Sequence, residues 1–205
     1  MSKKSELDPP LRGPTDHAVR DQIVVAAKEH FSRYGYDKTT VSDLAEAIGF
    51  SKAYIYRFFE SKQAIGEAIC SQCLSSIAND VEAALARCKS PIEKIRVLFK
   101  TAIESSVALF FTERKLYDIA AHSASEKWRS IEPYEQRIFT LLQDILKEGR
   151  KVGEFERKTA VDESCRAILQ AMQPFLNPLM LQQNLEKLPE GATEVVSLIL
   201  RSLAP

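Results

Sequence analysis

The chain has 205 residues, and the 45% of them that are hydrophobic can build one or two compact domains. Its 28 basic and 28 acidic side chains give a formal net charge of zero, so any surface that binds nucleic acid has to be local. No apolar run is long enough to span a bilayer, the N-terminus lacks the apolar segment of a secretory signal, and the four cysteines are too few for a disulfide framework. We therefore expect a cytoplasmic protein with reduced thiols and no membrane partner.

The predicted elements begin after a leader. Residues 1–14 contain Pro9, Pro10, Pro14 and Gly13 among mixed charges, which predicts a flexible segment. From Asp16 onwards, apolar residues recur at steps of three and four, and Gly35 follows the last of them as a stop signal. This spacing predicts a first helix.

The stretch 39–62 has the pattern of two short helices joined by a tight turn. Thr40 can cap the first helix, with Asp43 reaching back three residues later, and Ser51 can cap the second. Gly49 falls in the turn, where glycine adopts a left-handed backbone at the lowest cost. The apolar positions expected to be buried are Leu44, Ile48, Phe50, Ile55 and Phe58. The pattern predicts a helix-turn-helix, and the alternative is an ordinary helical hairpin of a core.

The side chains left exposed on the second of these helices suit DNA. They are Lys52, Ala53, Tyr54, Tyr56 and Arg57. A helix of this size fits the major groove with its N-terminal residues at the base edges. Lys52 and Arg57 can donate to guanine or phosphate, Tyr54 can lie against a thymine methyl, and Tyr56 can offer its hydroxyl to a phosphate. Lys62, at the start of the next helix, is expected to face a phosphate, while Phe58 and Phe59 pack against the first and fourth helices.

The rest of the chain repeats the helical period. Helices are predicted over residues 64–88, from Pro91 through Phe110, over 113–128, from Pro133 with Gly149 and Gly153 beyond its end, over 159–173 and over 193–203. The "PFLNP" segment at 174–178 must break or kink the chain. With about nine helices and no alternating run long enough for a strand, the predicted fold class is all-α.

Two groups of residues in this larger part are candidates for chemistry. Apolar and polar-tipped side chains that could line a ligand site are Phe110, Phe111, Tyr117, His122, Trp128, Met172 and Phe175. Apolar stripes are more often plain core, and a histidine is more often a satisfied core or surface residue. Cys70 and Cys73 share one helix face and could oxidise, but neither a second CxxC nor a nearby histidine is present to complete a metal site, so buried thiols are the simpler interpretation.

The segment "GYDKTTVSDLAEAIGFSKAYIYRFFESKQAI", residues 35–65, resembles the N-terminal signature of the TetR/AcrR transcriptional regulators. The resemblance implies an all-helical homodimer with a DNA-binding domain over 15–62 and an effector-binding and dimerisation domain over 63–205. It assigns the threonine cap to Thr40, the recognition contacts to Ser51, Lys52, Ala53 and Tyr54, and the phosphate contacts to Tyr56 and Lys62. The expected partners are a palindromic double-stranded DNA operator and a small, mostly apolar effector, with no cofactor and no metal.

Two positions depart from the family's pattern. The family usually has glycine where Ala53 stands, which alters how closely the backbone approaches DNA. It often has tyrosine or histidine where Phe58 stands, so a phosphate hydrogen bond is missing there. Two other functions stay open: a dimeric architectural or protein-recruiting factor that needs no ligand, and, more distantly, an enzyme whose site is assembled from scattered residues.

Overall fold

A computed structural model describes residues 16–111 and 116–205, and the predicted leader over 1–14 lies outside these ranges. Within them the chain forms eleven α-helices, nine of which have seven or more residues, and no strand. The predicted all-α class is thereby confirmed. None of the helices in the described part of the chain combines the length and the hydropathy needed to cross a bilayer.

The first three helices form a small head. They are α1 (Asp16–Tyr34), α2 (Val41–Ile48) and α3 (Lys52–Ile55). Their core contains Ile23, Phe31, Leu44 and Ile55, none of which has any solvent exposure. The core continues into the N-terminal half of α4 (Lys62–Leu85) through Ile65 and Ile69, so the head is fixed to the rest of the molecule by a shared helix.

The larger body is built on the C-terminal half of α4. Its helices are α5 (Pro91–Ser106), continued by a wider π-helical turn over Val107–Phe111, then α6 (Tyr117–Ser125), α7 (Glu132–Val152), α8 (Val161–Ala171), α9 (Gln173–Leu176), α10 (Pro178–Asn184) and α11 (Glu190–Ser202). A second apolar core lies between α5, α7, α8 and α11, and its fully buried members include Leu98, Phe99, Leu142 and Leu146.

Several predicted helix ends are wrong by a few residues. Helix α4 starts at Lys62 as expected, capped by the Ser61 hydroxyl, which accepts from the Ala64 N–H, but it ends at Leu85 rather than near residue 88. Helix α7 continues past Gly149, which was expected beyond its end, to Val152. The helix predicted over 113–128 runs only from Tyr117 to Ser125 in the described residues, and 112–115 lie outside them. It ends early because Lys127 adopts a φ of 53° and Trp128 is extended.

The predicted break at the two prolines is confirmed, and two short helices begin there. Pro174 and Pro178 each stand in the first turn of a new short helix, where a missing N–H costs no hydrogen bond. The Asn177 side chain caps the second of these by accepting from the Leu179 N–H at 3.0 Å. Sequence periodicity missed α9 and α10 because each is too short to show it.

Candidate DNA-binding surface and effector cavity

The turn between α2 and α3 is built as the sequence predicts. The Thr40 N–H donates to Asp43 Oδ2 at 2.7 Å, and the Asp43 N–H donates back to Thr40 Oγ1 at 3.2 Å. The hydrogen bonds from the Thr40 backbone and hydroxyl hold the pKa of Asp43 below its usual value. Gly49 follows α2 with a φ of 75°, and this left-handed conformation lets the Phe50 N–H donate to the Ala45 carbonyl at 2.9 Å. These contacts fix the angle at which α3 leaves the head.

Most of the predicted DNA contacts lie on the solvent side of α3 and the turn after it. Ser51, Lys52, Ala53, Tyr56 and Arg57 are all exposed. Ser51 also caps α3, accepting from the Tyr54 N–H at 3.1 Å. Exposure of these side chains, with two cations among them, gives the surface the shape and local charge that a major groove accepts.

Tyr54 is more deeply packed than the sequence indicates. Its ring meets Phe50 and Phe58 edge-on, at centroid distances of 5.0 and 5.3 Å, and it is half-buried. The Arg57 guanidinium lies 5.4 Å from the same ring. Tyr54 therefore holds the helix against the head, and only part of its ring is free to meet a base. Phe58 is half-buried in the same aromatic cluster, and Phe59 is buried in the head core.

Lys62 has an intramolecular partner in the absence of DNA. Its Nζ donates to the Tyr36 carbonyl at 3.0 Å and lies 4.3 Å from the centre of the Tyr36 ring. A phosphate contact would have to share or replace this bond. Tyr36 is buried, and burial together with the nearby Glu126, Asp37 and Glu67 carboxylates raises its pKa to about 12. Tyr36 was not predicted from the sequence as a functional residue, because nothing apart from its position after Gly35 distinguishes it there.

A cavity of about 800 Å³ lies in the body. Its walls come from α4, the π-helical turn, α6, α7, α8, α9 and α10, and they are mainly apolar: Leu74, Phe110, Phe111, Ala120, Trp128, Ile131, Ile138, Phe139, Leu169, Leu176 and Leu181. The volume falls in the range of small-molecule sites in proteins.

Three of the seven residues predicted for the ligand site line this cavity: Phe110, Phe111 and Trp128. The other four do not. Met172 and Phe175 are buried in the core of the body, where they fill the space between helices. Tyr117 contacts Phe111 with ring centroids 5.3 Å apart and planes inclined by 42°, without contributing to the lining itself. His122 is held by two carboxylates instead: its Nε2 is 2.8 Å from Asp37 Oδ1 and its Nδ1 is 3.0 Å from Glu126 Oε1.

The cavity also has a polar part that the sequence did not reveal. Lys127, Glu132, Tyr134 and Glu135 contribute to the lining around the start of α7. Burial raises the pKa of Tyr134 to about 12, and burial together with Glu132 raises the pKa of Glu135. Lys127, Glu132 and Glu135 are exposed and Tyr134 is half-buried, so this polar part lies at the solvent-facing side of the cavity.

The paired cysteines are both buried in α4. Burial raises the pKa of the Cys70 thiol, which makes it a weak nucleophile at neutral pH and favours the structural interpretation over a thiol switch. Cys70 also contributes to the cavity wall. Across residues 16–111 and 116–205, no group of three His, Cys, Asp or Glu side chains is arranged to hold a metal ion.

The head has the geometry of a helix-turn-helix, and the body contains a separate cavity. Residues 23–69 match the family model described as "Bacterial regulatory proteins, tetR family", and residues 91–196 match "Tetracyclin repressor-like, C-terminal domain". The chain belongs to the TetR family of transcriptional regulators, and its function is that of a DNA-binding regulator.

Individual proteins resemble the chain at lower identity. The HTH-type transcriptional repressor KstR2 of Mycolicibacterium smegmatis is 26% identical over 145 residues, which cover 70% of each protein. The TetR-family regulator PfmR of Thermus thermophilus superposes with a TM-score of 0.58 at 26% identity, covering 89% of this chain and 99% of that one. FadR of Bacillus subtilis, solved in complex with stearoyl-CoA, has a TM-score of 0.68 at 18% identity and covers 89% and 98%, which shows the shared fold.

Proposed function

We propose that the protein is a homodimeric repressor that leaves a palindromic operator when a small, mostly apolar molecule fills the cavity. The observation that carries the proposal is the 800 Å³ apolar-walled cavity in a body that shares α4 with the DNA-binding head. Binding there alters DNA affinity only if the ligand prefers one of two head arrangements, so the effect is a difference in affinity between states. The proposed activity is binding, without catalysis.

On the DNA side, each protomer inserts α3 into a major groove. Lys52 and Arg57 supply base or phosphate contacts from the exposed face, and Ser51 and Ala53 bring the start of the helix close to the groove. Tyr56, 44% exposed, reaches a phosphate with its hydroxyl. Thr40 acts indirectly by capping α2.

On the ligand side, the cavity favours an apolar chain or ring system with a small polar group. The apolar walls bury the body of the molecule, and the polar group meets Lys127, Glu132 or Glu135. Fatty acyl compounds are reasonable first probes, since FadR of Bacillus subtilis was solved with stearoyl-CoA. The lining offers one ammonium group against two carboxylates, so the charged portion of such a thioester would have to extend beyond it.

Across the two-fold axis, α8 and α11 of one protomer pair with those of the other. Among the apolar residues on or just after these two helices, Ile168, Met172, Val196, Ile199 and Leu203 are buried in the protomer's own core. The faces left for a partner contain Ala167 and Ala171 on α8, with Leu198 on α11, whose side chain is 60% exposed. An exposed leucine on α11 and exposed alanines on α8 are available for helix packing between copies.

The test begins with selection of bound fragments from random or genomic DNA by the purified protein, followed by footprinting. We expect inverted-repeat protection, with half-sites about one helical turn or a small multiple of it apart. Protection of a single asymmetric half-site would contradict the dimer.

Release is then measured with stearoyl-CoA, free fatty acids and neutral apolar compounds, on the parent protein and on two matched variants. Leu176→Phe adds bulk to the cavity wall and should weaken the release of DNA by the ligand. Leu188 is half-buried but does not line the cavity, so Leu188→Phe should leave that release unchanged. If no compound of the panel binds or releases the protein, the ligand-independent architectural role replaces this proposal.

A further inference from the structure

Trp128 is the only tryptophan of the chain, and it lies between the cavity and the head. It forms part of the cavity wall and is 3% exposed. On its other side the ring meets Tyr36 edge-on, with centroids 5.9 Å apart. A Cβ atom on Gly66 would stand 2.9 Å from Trp128 Cη2 and 3.0 Å from Tyr36 Cε2. The indole therefore cannot shift towards the head without moving Tyr36 or α4.

Three hydrogen bonds run from this indole to the loop between α1 and α2. Trp128 Nε1 donates to Glu126 Oε2 at 2.8 Å. The other oxygen of Glu126 is 3.0 Å from His122 Nδ1, and His122 Nε2 is 2.8 Å from Asp37 Oδ1. His122 also stacks parallel to Trp128, with ring centroids 6.5 Å apart and planes inclined by 16°. Glu126 and His122 belong to the body and Asp37 to the head, so the chain of bonds crosses from one to the other.

Tyr36 connects the same place to the group proposed to meet DNA phosphate. Its ring contacts His122 at a centroid distance of 5.2 Å and Phe31 of the head core at 5.1 Å. Its carbonyl accepts from Lys62 Nζ. A displacement of Trp128 therefore reaches Lys62 and α1 through direct contacts, as well as through Asp37.

We propose that Trp128 is the positioning residue through which an occupant of the cavity acts on the head, with the His122–Asp37 pair as the contact that transmits the change. The inference rests on the proposed function, since it names the residues by which the cavity and the DNA surface communicate. An occupant that displaces the indole changes the geometry of the Glu126–His122 hydrogen bond. The His122–Asp37 hydrogen bond is then weakened or strengthened in turn. Because coupling between two sites is reciprocal, operator binding must in turn change the surroundings of Trp128, with no ligand present.

The test uses the fluorescence of the single tryptophan in the full-length protein. A selected operator fragment carrying a fluorescent label, excited away from tryptophan, is titrated while its anisotropy and the Trp128 emission are followed together. Non-operator DNA of the same length serves as the reference. We expect saturation with operator to shift the Trp128 emission maximum and its acrylamide quenching constant. Asp37→Ala should abolish most of that shift while the labelled operator still binds.

Two further variants separate transmission from general damage. Asp37→Glu keeps a carboxylate within reach of His122 and should restore part of the shift, and Asp21→Ala, an exposed aspartate of α1, should leave it unchanged. Asp37 is 66% exposed in its side chain, so its variants are expected to fold, which a thermal melt checks. His122→Ala should behave like Asp37→Ala.

Each remaining outcome is decisive. An anisotropy change without any Trp128 shift would overturn the inference while leaving DNA binding intact. An equal shift in parent and Asp37→Ala would also overturn it, because the head would then act on the indole by another route. If no DNA fragment changes the anisotropy at all, the proposed function fails and the inference falls with it.

Discussion

At the scale of single residues, two lysines that look alike in the sequence have different surroundings. Lys52 stands in the first turn of α3, exposed, with its Nζ 5.9 Å from the centre of the Tyr56 ring. Lys62 is half-buried, bonded to the Tyr36 carbonyl at the start of α4. We therefore propose that the first meets base edges and that the second meets the phosphate backbone of DNA.

Lys52→Ala should relax the preference at one base position in each half-site, at a cost of about 1–3 kcal/mol if that contact is specific. The measurement is binding to matched operators and to operators with single base changes. Folding should be unaffected, because the side chain belongs to neither core. A uniform loss of affinity for every sequence would place Lys52 on phosphate and contradict the orientation of α3.

Lys62→Ala should weaken specific and non-specific DNA about equally and reduce the salt slope by roughly one unit for each phosphate interaction removed. The structure adds a second effect: the variant also uncovers the Tyr36 ring and leaves its carbonyl without this donor, so the free energy of unfolding should fall modestly. Urea denaturation checks this part, and a salt series checks the first. A changed base preference would be the contrary result.

At the scale of elements, the caps and turns decide where helices begin and end, while close contacts decide which residues the helices tolerate. Gly149 near the end of α7 is an example. Its carbonyl accepts from the N–H groups of Glu154 and Phe155, and the Phe155 ring folds back over it. A Cβ on Gly149 would stand 2.0 Å from Phe155 Cδ2, closer than atoms can approach.

Gly149→Ala should therefore lower the free energy of unfolding by about 1–3 kcal/mol, the usual cost of overpacking. In a Phe155→Ala background the same substitution should cost less, because the obstructing ring is gone. Chemical denaturation of the four proteins of this cycle gives the coupling. Equal costs in the two backgrounds would mean that the backbone, and not Phe155, excludes the methyl group.

At the scale of the whole molecule, the head and the body are joined by α4 and by the His122 bridge. Burial alone would lower the pKa of His122, but its hydrogen bonds to Glu126 and Asp37 outweigh that effect, and the pKa is raised. The other groups around it are the rings of Tyr36 and Trp128, with Lys62 on Tyr36. The bridge is strongest when the imidazole is charged between its two carboxylates.

A raised pKa in the folded state means that the bridge stabilises fully below the unfolded pKa, near 6.5, and loses its effect as the pH rises through the folded value. His122→Gln should therefore lower the free energy of unfolding most at mildly acidic pH, and the difference from the parent should shrink as the pH rises above that. Urea denaturation over a pH series measures it. His17→Gln, an exposed histidine at the start of α1, is the control; a constant difference for His122→Gln would rule out the charged bridge.

The proposed dimer gives a second prediction at this scale. Leu198→Glu places a charge on the exposed face of α11 and should convert dimers to monomers, with operator affinity falling because each half-site then binds alone. Sedimentation gives the oligomeric state, and anisotropy gives the affinity. Val25→Glu changes an equally exposed apolar residue on α1 and should leave the oligomeric state unaltered. A Leu198→Glu protein that stays dimeric would move the interface elsewhere.

The sequence by itself determined the all-α class, the helix-turn-helix and the caps at Thr40 and Ser51, because each depends on residues within about four positions of one another. Helices α9 and α10 were not predicted from the sequence, because each is too short to show a helical period of apolar residues. Only the tertiary structure decided which apolar residues line the cavity and which fill the core, since both kinds are equally apolar in the sequence.

The partners of the polar residues were decided by the tertiary structure as well. Lys62 bonds to a carbonyl 26 positions away, and His122 bonds to a carboxylate 85 positions away. Both were predicted from the sequence to face another molecule, phosphate for the lysine and ligand for the histidine. A buried or half-buried polar group is satisfied by whatever the packed helices bring beside it, and no local pattern specifies that neighbour.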